Sequence, residues 1–173
     1  MTLLRDATPD DAEALARLGR ESFCHAFEDL YRPQDLRQFL EETYSARAIA
    51  QEIADPGIRH QLTQDAPGSP LSAFIKVRYA SPYTEYSDAA NPLCLGQLYT
   101  DPARTGEGLG AVLVDWCLDL ARGRGCDAVQ LSVYSENYGA QRFYQRYGFG
   151  KIADIVFWVG EQRDAEFLYE LRL

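Results

Sequence analysis

Residues Leu98-Tyr-Thr-Asp-Pro-Ala-Arg-Thr-Gly-Glu-Gly-Leu-Gly110 join a strand-like run to an amphipathic helix through a turn with glycines at 106, 108 and 110. The first turn of a helix carries backbone N–H groups with no partner inside the helix, and glycines let a bulky anion approach them closely. A dinucleotide fingerprint would read G-x-G-x-x-G, whereas these glycines fall at every second residue. A Walker loop would need G-x-x-x-x-G-K-[ST], and this stretch has no lysine. What remains is a phosphate-type anion on the amides, assisted by the Arg104 guanidinium and the Thr105 hydroxyl. The alternative is a glycine-rich turn that holds nothing. A second block, Asn137-Tyr-Gly-Ala-Gln-Arg-Phe-Tyr-Gln-Arg-Tyr-Gly-Phe149, weighs against that alternative.

Around these blocks the chain alternates strand and helix signals. Leu3-Leu4 is a short first strand. Thr8-Pro9-Asp10-Asp11 opens a helix: Thr8 can cap, Pro9 suits the first position and the acids favour the positive end. Leu15, Leu18, Phe23, Phe27 and Leu30 then recur on roughly one helical face. A second helix follows Arg32-Pro33, carrying Leu36, Phe39 and Leu40. A third, capped by Ser45, runs through Ala54 until Asp55-Pro56-Gly57 stops it. Strands are expected near Arg59–Gln64, Leu71–Tyr79 and Leu93–Thr100, with a turn at Asp65–Pro70 and a loop at Ala80–Pro92. After the glycine turn, Leu109, Val112, Leu113, Trp116, Cys117, Leu120 and Ala121 form a buried helical stripe that Gly123 or Gly125 ends. Ala128–Tyr134 alternates as a strand does, and Asn137–Tyr147 is a short helix closed by Gly148. Ile152–Val159 begins a last pair of strands joined near Gly160–Asp164. Antiparallel pairing in the middle followed by a strand–helix–strand crossover gives an α+β chain with a mixed sheet and helices on its faces.

The chain has 173 residues, 46% hydrophobic and 25% charged, and reads as one soluble domain over 1–173. No apolar run reaches membrane-spanning length, and the N-terminus lacks a secretory core. The four cysteines are scattered without a C-x-x-C pair and there are only two histidines, so no metal site is expected and reduced thiols in the cytoplasm are the economical reading. A net charge of −9 disfavours nucleic acid and favours a cationic small molecule.

The two blocks together resemble the GNAT superfamily of acyl-CoA-dependent N-acetyltransferases. The family's phosphate loop reads [Q/R]-x-x-G-x-[G/A], matched by Thr105-Gly-Glu-Gly-Leu-Gly110. Its next motif, N-x-x-A-x-x-F-Y-x-x-x-G-F, is matched at Asn137, Ala140, Phe143, Tyr144, Gly148 and Phe149 with the spacing intact. The resemblance implies a three-layer fold whose central, mostly antiparallel sheet of six to seven strands splays between the fourth and fifth. It implies acetyl-CoA in that gap, with backbone bonds from Leu98 and Thr100 and a donor N–H near Tyr99 for the developing oxyanion. The pyrophosphate would sit on the amides of Thr105, Gly106, Glu107, Gly108, Leu109 and Gly110 beside Arg104. Asn137 would bond the cofactor arm, and Ala140 would belong to the same cofactor-binding set. Tyr144 would stand beside the thioester sulfur and give the leaving thiolate a proton. Members are often dimeric, so a homodimer is among the arrangements implied.

Two departures stand out. Thr105 replaces the usual Gln or Arg, and Glu107 places a carboxylate where the residue is often basic, which favours the helix start but opposes a phosphate. The strand Leu93-Cys-Leu-Gly-Gln-Leu-Tyr99 also lacks the glutamate that many members use as general base. Glu85, His25 or a water chain beside Ser132 or Tyr134 are the alternatives for that proton. Cys94 reads as an inert buried thiol, since direct transfer needs no acyl-enzyme. Arg20-Glu-Ser-Phe23 with Phe27, and Phe157-Trp-Val-Gly160 with Asp164, resemble bacterial polyamine acetyltransferases of the Pai type. On that resemblance Phe23, Phe27, Tyr31 and Tyr44 would line an acceptor groove, Glu28, Asp29, Glu41 and Glu42 would draw in a spermidine-like amine, and Tyr79, Tyr83 and Tyr86 would contribute to a lid. An amino acid, a peptide N-terminus, or a CoA sensor that has lost turnover are the competing readings.

Overall fold

The computed structural model describes residues 1–173. Its strands are β1 (Leu3–Asp6), β2 (Ile58–Gln64), β3 (Leu71–Arg78), β4 (Pro92–Thr100), β5 (Ala128–Tyr134), β6 (Gly150–Val159) and β7 (Gln162–Arg172). Its helices are α1 (Ala12–Phe27), α2 (Pro33–Tyr44), α3 (Ala46–Ala54), α4 (Leu109–Gly123) and α5 (Tyr138–Arg146). The seven strands form one sheet in the order β1-β2-β3-β4-β5-β7-β6. Every neighbouring pair is antiparallel except β4 with β5. This is the mixed, splayed α+β sheet expected from the two sequence blocks.

One face of the sheet packs Ile75, Val77, Leu93, Leu95, Val129, Leu131 and Val133 against Leu109, Leu113, Val114 and Cys117 of α4 and Tyr144 of α5. The other packs Leu62 and Phe74 against α1, α2 and α3 through Leu15, Leu18, Phe23, Phe39, Tyr44 and Ile49. Each fully buried aliphatic side chain contributes roughly 2 kcal/mol. Both layers are therefore held by the helical stripes that the 3-and-4 spacing announces.

The first helix differs from expectation at its start. Thr8-Pro9 opens a single 3-10 turn, Pro9–Asp11, and the α-helix begins only at Ala12. Asp11 is turned back, accepting from the Thr8 N–H at 2.8 Å and from both terminal nitrogens of Arg5 at 2.8 and 2.7 Å. The loop after β3 also holds a 3-10 turn at Thr84–Tyr86, and β6 starts two residues before Ile152, at Gly150.

Pairing between β4 and β5 is confined to Pro92, Leu93 and Cys94 opposite Ala128, Val129 and Gln130. Beyond that point the two strands part. A β-bulge falls at the fork: Lys76 faces Gln97 while Val77 faces Leu95, leaving Gly96 as the extra residue on β4. Bulges bend a strand and increase its twist, which turns β4 away from β5 where their pairing stops.

Candidate active site

The open edge of β4 has a fixed polarity. Asp101 N donates to Ser72 O at 2.8 Å, so Asp101 faces β3. Successive residues of an antiparallel ladder point their N–H and C=O to alternate sides. Tyr99 therefore also faces β3, and Leu98 and Thr100 face the gap. The N–H near Tyr99 that can reach an oxyanion is thus a neighbour's and not that of Tyr99 itself. The Thr100 carbonyl already accepts from Ser22 Oγ of α1 at 3.2 Å, which leaves the backbone of Leu98 as the freer of the two.

At the outer end of the fork lies the glycine turn. Gly106 and Gly108 have φ of +85° and +81°, and no heavy atom lies within 4 Å of where a Cβ would sit on either. Left-handed φ explains glycine at both positions. Gly108 is the N-cap of α4, where no side chain caps the helix. The first intrahelical bond runs from Val112 N to Gly108 O at 3.2 Å. The amides of Leu109, Gly110 and Ala111 are therefore open toward the gap end. Arg104 does not add a free cation there: its guanidinium bonds Glu107 at 3.0 and 2.7 Å and both Asp65 oxygens at 3.0 Å. The arginine expected to grip phosphate is thus engaged by two carboxylates in this structure. Arg104 neutralises the carboxylate of Glu107, and the amides are left as the anion donors.

Helix α5 shows why the second block has its spacing. Asn137 is its N-cap and accepts from Ala140 N at 3.2 Å. The Asn137 carbonyl oxygen caps the helix, and its amide nitrogen, with no partner of its own, is free to donate to a ligand. One helical turn after Ala140, Tyr144 is buried between the rings of Phe143 and Phe149 at 5.1 and 5.7 Å. Gly148, at φ +97°, turns the chain so that Phe149 N returns to Tyr144 O at 3.2 Å. Burial, with Tyr99 and Cys117 nearby, raises the Tyr144 phenol well above its ordinary range. It stays protonated at any working pH.

A cavity of about 470 Å³ occupies the fork, lined on the β4 and β5 sides by Gly96, Gln97, Leu98, Tyr99, Ser132 and Tyr134, with Asn137, Ala140 and Tyr144 at its α5 wall. Gln97 Oε1 is buried there with no hydrogen-bond partner, the signature of a site that awaits a donor. An extended arm carrying amide N–H groups and ending in phosphate fits these features: unpaired strand edge, orphaned acceptor and uncapped helix amides.

On the opposite side the cavity is aromatic. Phe23, Phe27, Tyr31 and Tyr44, expected to line an acceptor groove, all line this cavity, joined by Phe39, Phe157 and Trp158. Tyr31 stacks on Phe23 at 5.9 Å and donates its hydroxyl to Asp164 Oδ2 at 2.5 Å. This links the Asp164 of the C-terminal signature to the first helical region. Gly160 completes that link. At φ +56° it turns β6 into β7 so tightly that a Cβ there would lie 2.5 to 2.7 Å from Oδ1, Cα and Cβ of Asp35. Asp35 in turn accepts from Glu161 N at 3.0 Å and from Arg32 at 2.7 Å.

The acidic residues expected to gather a cation are distributed differently. Only Glu42 reaches the cavity. Glu28 and Asp29 lie in an exposed 3-10 turn, and Glu41 pairs with Arg20 at 3.7 Å. Of the lid tyrosines, Tyr83 lines the cavity, whereas Tyr79 lies under the Arg124 guanidinium at 3.6 Å and Tyr86 is exposed. Cys94 is buried and its thiol is pushed up to about 11 by burial, as suits an inert core residue. Neither Glu85 nor His25 borders the cavity. Two groups that do border it carry charge and were not read from the sequence as site residues. Lys76 is buried with Nζ 2.7 Å from Glu52, and Arg78 stands half-exposed 3.7 Å from the same carboxylate. A third such group is Glu166 of β7.

A family model described as the acetyltransferase (GNAT) family matches residues 21–149. Over 164 residues, 94% of this chain and 92% of the relative, the chain is 26% identical to an uncharacterized N-acetyltransferase in the pepI 3' region of Lactobacillus delbrueckii subsp. lactis. Over 102 residues, 57% of this chain but 30% of the relative, it is 35% identical to the mycothiol acetyltransferase of Beutenbergia cavernae. Among solved structures, PaiA N-acetyltransferase from Thermoplasma acidophilum in complex with coenzyme A superposes with a TM-score of 0.79 at 22% identity, covering 100% of this chain and 99% of that one. Arabidopsis thaliana NAA60 in complex with acetyl-CoA gives a TM-score of 0.76 at 16% identity, with the same coverage. At such identities the structural likeness is one of fold. The family model, which spans both sequence blocks and the forked strands between them, settles the assignment: the chain belongs to the acetyltransferase (GNAT) family.

Proposed function

We propose that this N-acetyltransferase moves an acetyl group from acetyl-CoA directly to the primary amine of a small cationic acceptor, with polyamines such as spermidine as the leading class. The observation that carries this reading is the three-residue pairing of β4 with β5. It leaves a gap bordered by uncapped α4 amides at one end and by an aromatic groove on the other face. Acetyl-CoA supplies the activated acyl thioester. The chain supplies the rest: Leu98 offers backbone bonds along the arm, and the amides from Gly106 to Gly110 hold the diphosphate. Tyr144 gives a proton to the departing sulfur, and the rings of Phe23, Phe27 and Tyr31 receive the cationic amine through their faces. Four free thiols, three of them buried, favour a reducing cytoplasmic setting.

A second acceptor class has its own support. Arg78, half-exposed on the cavity wall, would pair with a carboxylate, as an amino acid or a peptide would present one. Purified protein with acetyl-CoA and a panel of amines, read by release of free thiol, tests both. Turnover on spermidine and its homologues supports the polyamine reading. Turnover restricted to amino acids or peptides moves the assignment to the second class. Absence of any heat on titrating acetyl-CoA into folded protein overturns the whole reading.

A further inference from the structure

An acceptor amine arrives as an ammonium and must lose a proton before it can attack, yet β4 carries no carboxylate. We infer that Glu166 of β7 is the general base, taking that proton directly from the acceptor, with Ser132 of β5 holding its carboxylate toward the fork. The inference rests on the acetyltransferase reading above.

Register puts Glu166 in place. It lies opposite Tyr134, the last residue of β5, and Leu168 lies opposite Ser132. Residues directly opposite share a face of the sheet, and alternate residues of one strand share it too. Glu166, Ser132 and Tyr134 therefore project together onto the acceptor face, and all three line the cavity that Tyr144 borders. Neighbouring strands are about 4.8 Å apart, so Glu166 stands one strand back from the open edge of β5. Ser132, the side chain between, is small enough for a glutamate to reach past it. Two carboxylates line the cavity. The other, Glu42, is exposed on α2 and accepts from Gln38 at 3.0 Å. Asp164 is already bonded to Tyr31 and Gln162.

The surroundings strengthen Glu166 as a base. Burial and the Asp164 charge raise the Glu166 carboxyl above the ordinary glutamate range, and the neighbouring Ser132 hydroxyl holds the rise in check. The titratable and charged groups facing it are Tyr31 from the α1–α2 connection, Tyr83 from the loop before β4, Tyr99 from β4, Tyr134 from β5 and Asp164 from β7 itself. No cation pairs with it.

The step balances. Glu166 accepts one ammonium proton, and the freed lone pair forms the N–C bond to the acetyl carbonyl carbon as the C–S bond breaks. The sulfur leaves with its electron pair and takes the Tyr144 proton. The amide nitrogen sheds its second proton to restore Tyr144, and Glu166 releases the first to solvent, for a net loss of one proton.

The test is the pH dependence of kcat/KM for whichever amine the wild-type enzyme turns over, with acetyl-CoA calorimetry as the check on folding. Wild type should show an activity limb that rises with pH above the ordinary glutamate range. Glu166→Gln should lower kcat about 100-fold or more near neutrality and abolish that limb. Its residual rate should then rise tenfold per pH unit with the free amine. Glu166→Asp should keep the limb at reduced kcat, and Ser132→Ala should move the limb to higher pH. A Glu166→Gln enzyme that binds acetyl-CoA and keeps the wild-type kcat and limb overturns the assignment. So does one in which only the acceptor KM rises, since that marks a binding group. If wild type binds acetyl-CoA but acetylates no amine, the acetyltransferase reading fails first and takes this role with it.

Discussion

Tyr144 shows how much chemistry a single side chain can announce. Its spacing from Asn137 and Ala140 places it two turns inside a capped helix, and the cap is visible as Asn137 Oδ1 accepting from Ala140 N. All of this is local and so was legible in the sequence. Replacing the phenol by phenyl keeps the ring contacts with Phe143 and Phe149 and removes only the proton donor. Tyr144→Phe should therefore lower kcat by about 100-fold while the Kd for acetyl-CoA stays within a factor of two or so, measured by thiol release and calorimetry. Unchanged turnover would remove Tyr144 from the chemistry. Arg104 and Glu166 are the residues whose surroundings local sequence does not reveal. Arg104 looked available because Asp65, its second carboxylate, lies far off along the chain and arrives through the turn after β2. Glu166 was silent because its placement depends on β7 pairing with β5, and the residues around it carry no motif.

At the scale of elements, the acceptor side is assembled by the β6–β7 hairpin closing onto α2. The aromatic–x–x–Gly stretch followed by an aspartate is visible in the sequence, but its physical meaning appears only in three dimensions. Gly160 permits the left-handed turn and the close approach to Asp35. Asp164 then receives the Tyr31 hydroxyl, and Phe157 meets Phe39 at 5.7 Å across the groove. Gly160→Ala would force a methyl against the Asp35 backbone and strain a positive φ, at about 1–3 kcal/mol. For a chain of this length each kcal/mol lowers Tm by about 2–4 °C. The variant should therefore melt several degrees below wild type and show a raised KM for the acceptor. Affinity for acetyl-CoA, which we propose meets the far wall of the cavity, should be unchanged. Wild-type melting would show that the turn relaxes without strain, and a loss of acetyl-CoA binding would show that the hairpin supports both sides of the fork. The bulge at Gly96 has the same character. A glycine inside a strand hints at a bulge, yet nothing local reveals that it coincides with the end of β4–β5 pairing.

For the whole molecule, the order of elements is readable from periodicity because each helix shows one apolar stripe and most turns carry Gly, Pro or Asp. The assignment of faces could not be read in the central strands. There β2 and β3 are buried on both sides, and polar residues such as His60, Gln61, Thr63 and Lys76 lie inside. His60 is the extreme case: it is 3% exposed, and neither ring nitrogen has a hydrogen-bond partner. Burial first, then the nearby charges of Lys76 and Arg78, lower its pKa from 6.5 to about 4. The native ring therefore stays neutral where an unfolded chain would already bind a proton. As pH falls through 6.5 the unfolded state is favoured, and the loss continues down to about 4, where the native ring also protonates. The interval corresponds to about 3 kcal/mol. Asp11, Asp35 and Asp127, held below their ordinary range by hydrogen bonds, begin to weaken the fold only near and below 3.8. Glu166, raised above its ordinary range, works the other way as pH falls. Subtracting a variant isolates the histidine from all of these. His60→Leu removes the titration and leaves no unpaired ring nitrogen, so its stability by urea unfolding should match or exceed wild type near pH 7. The difference in its favour should grow steadily between pH 6.5 and 4. Parallel stability curves for the two proteins across that interval would mean that the ring is protonated, or solvated, in the native fold.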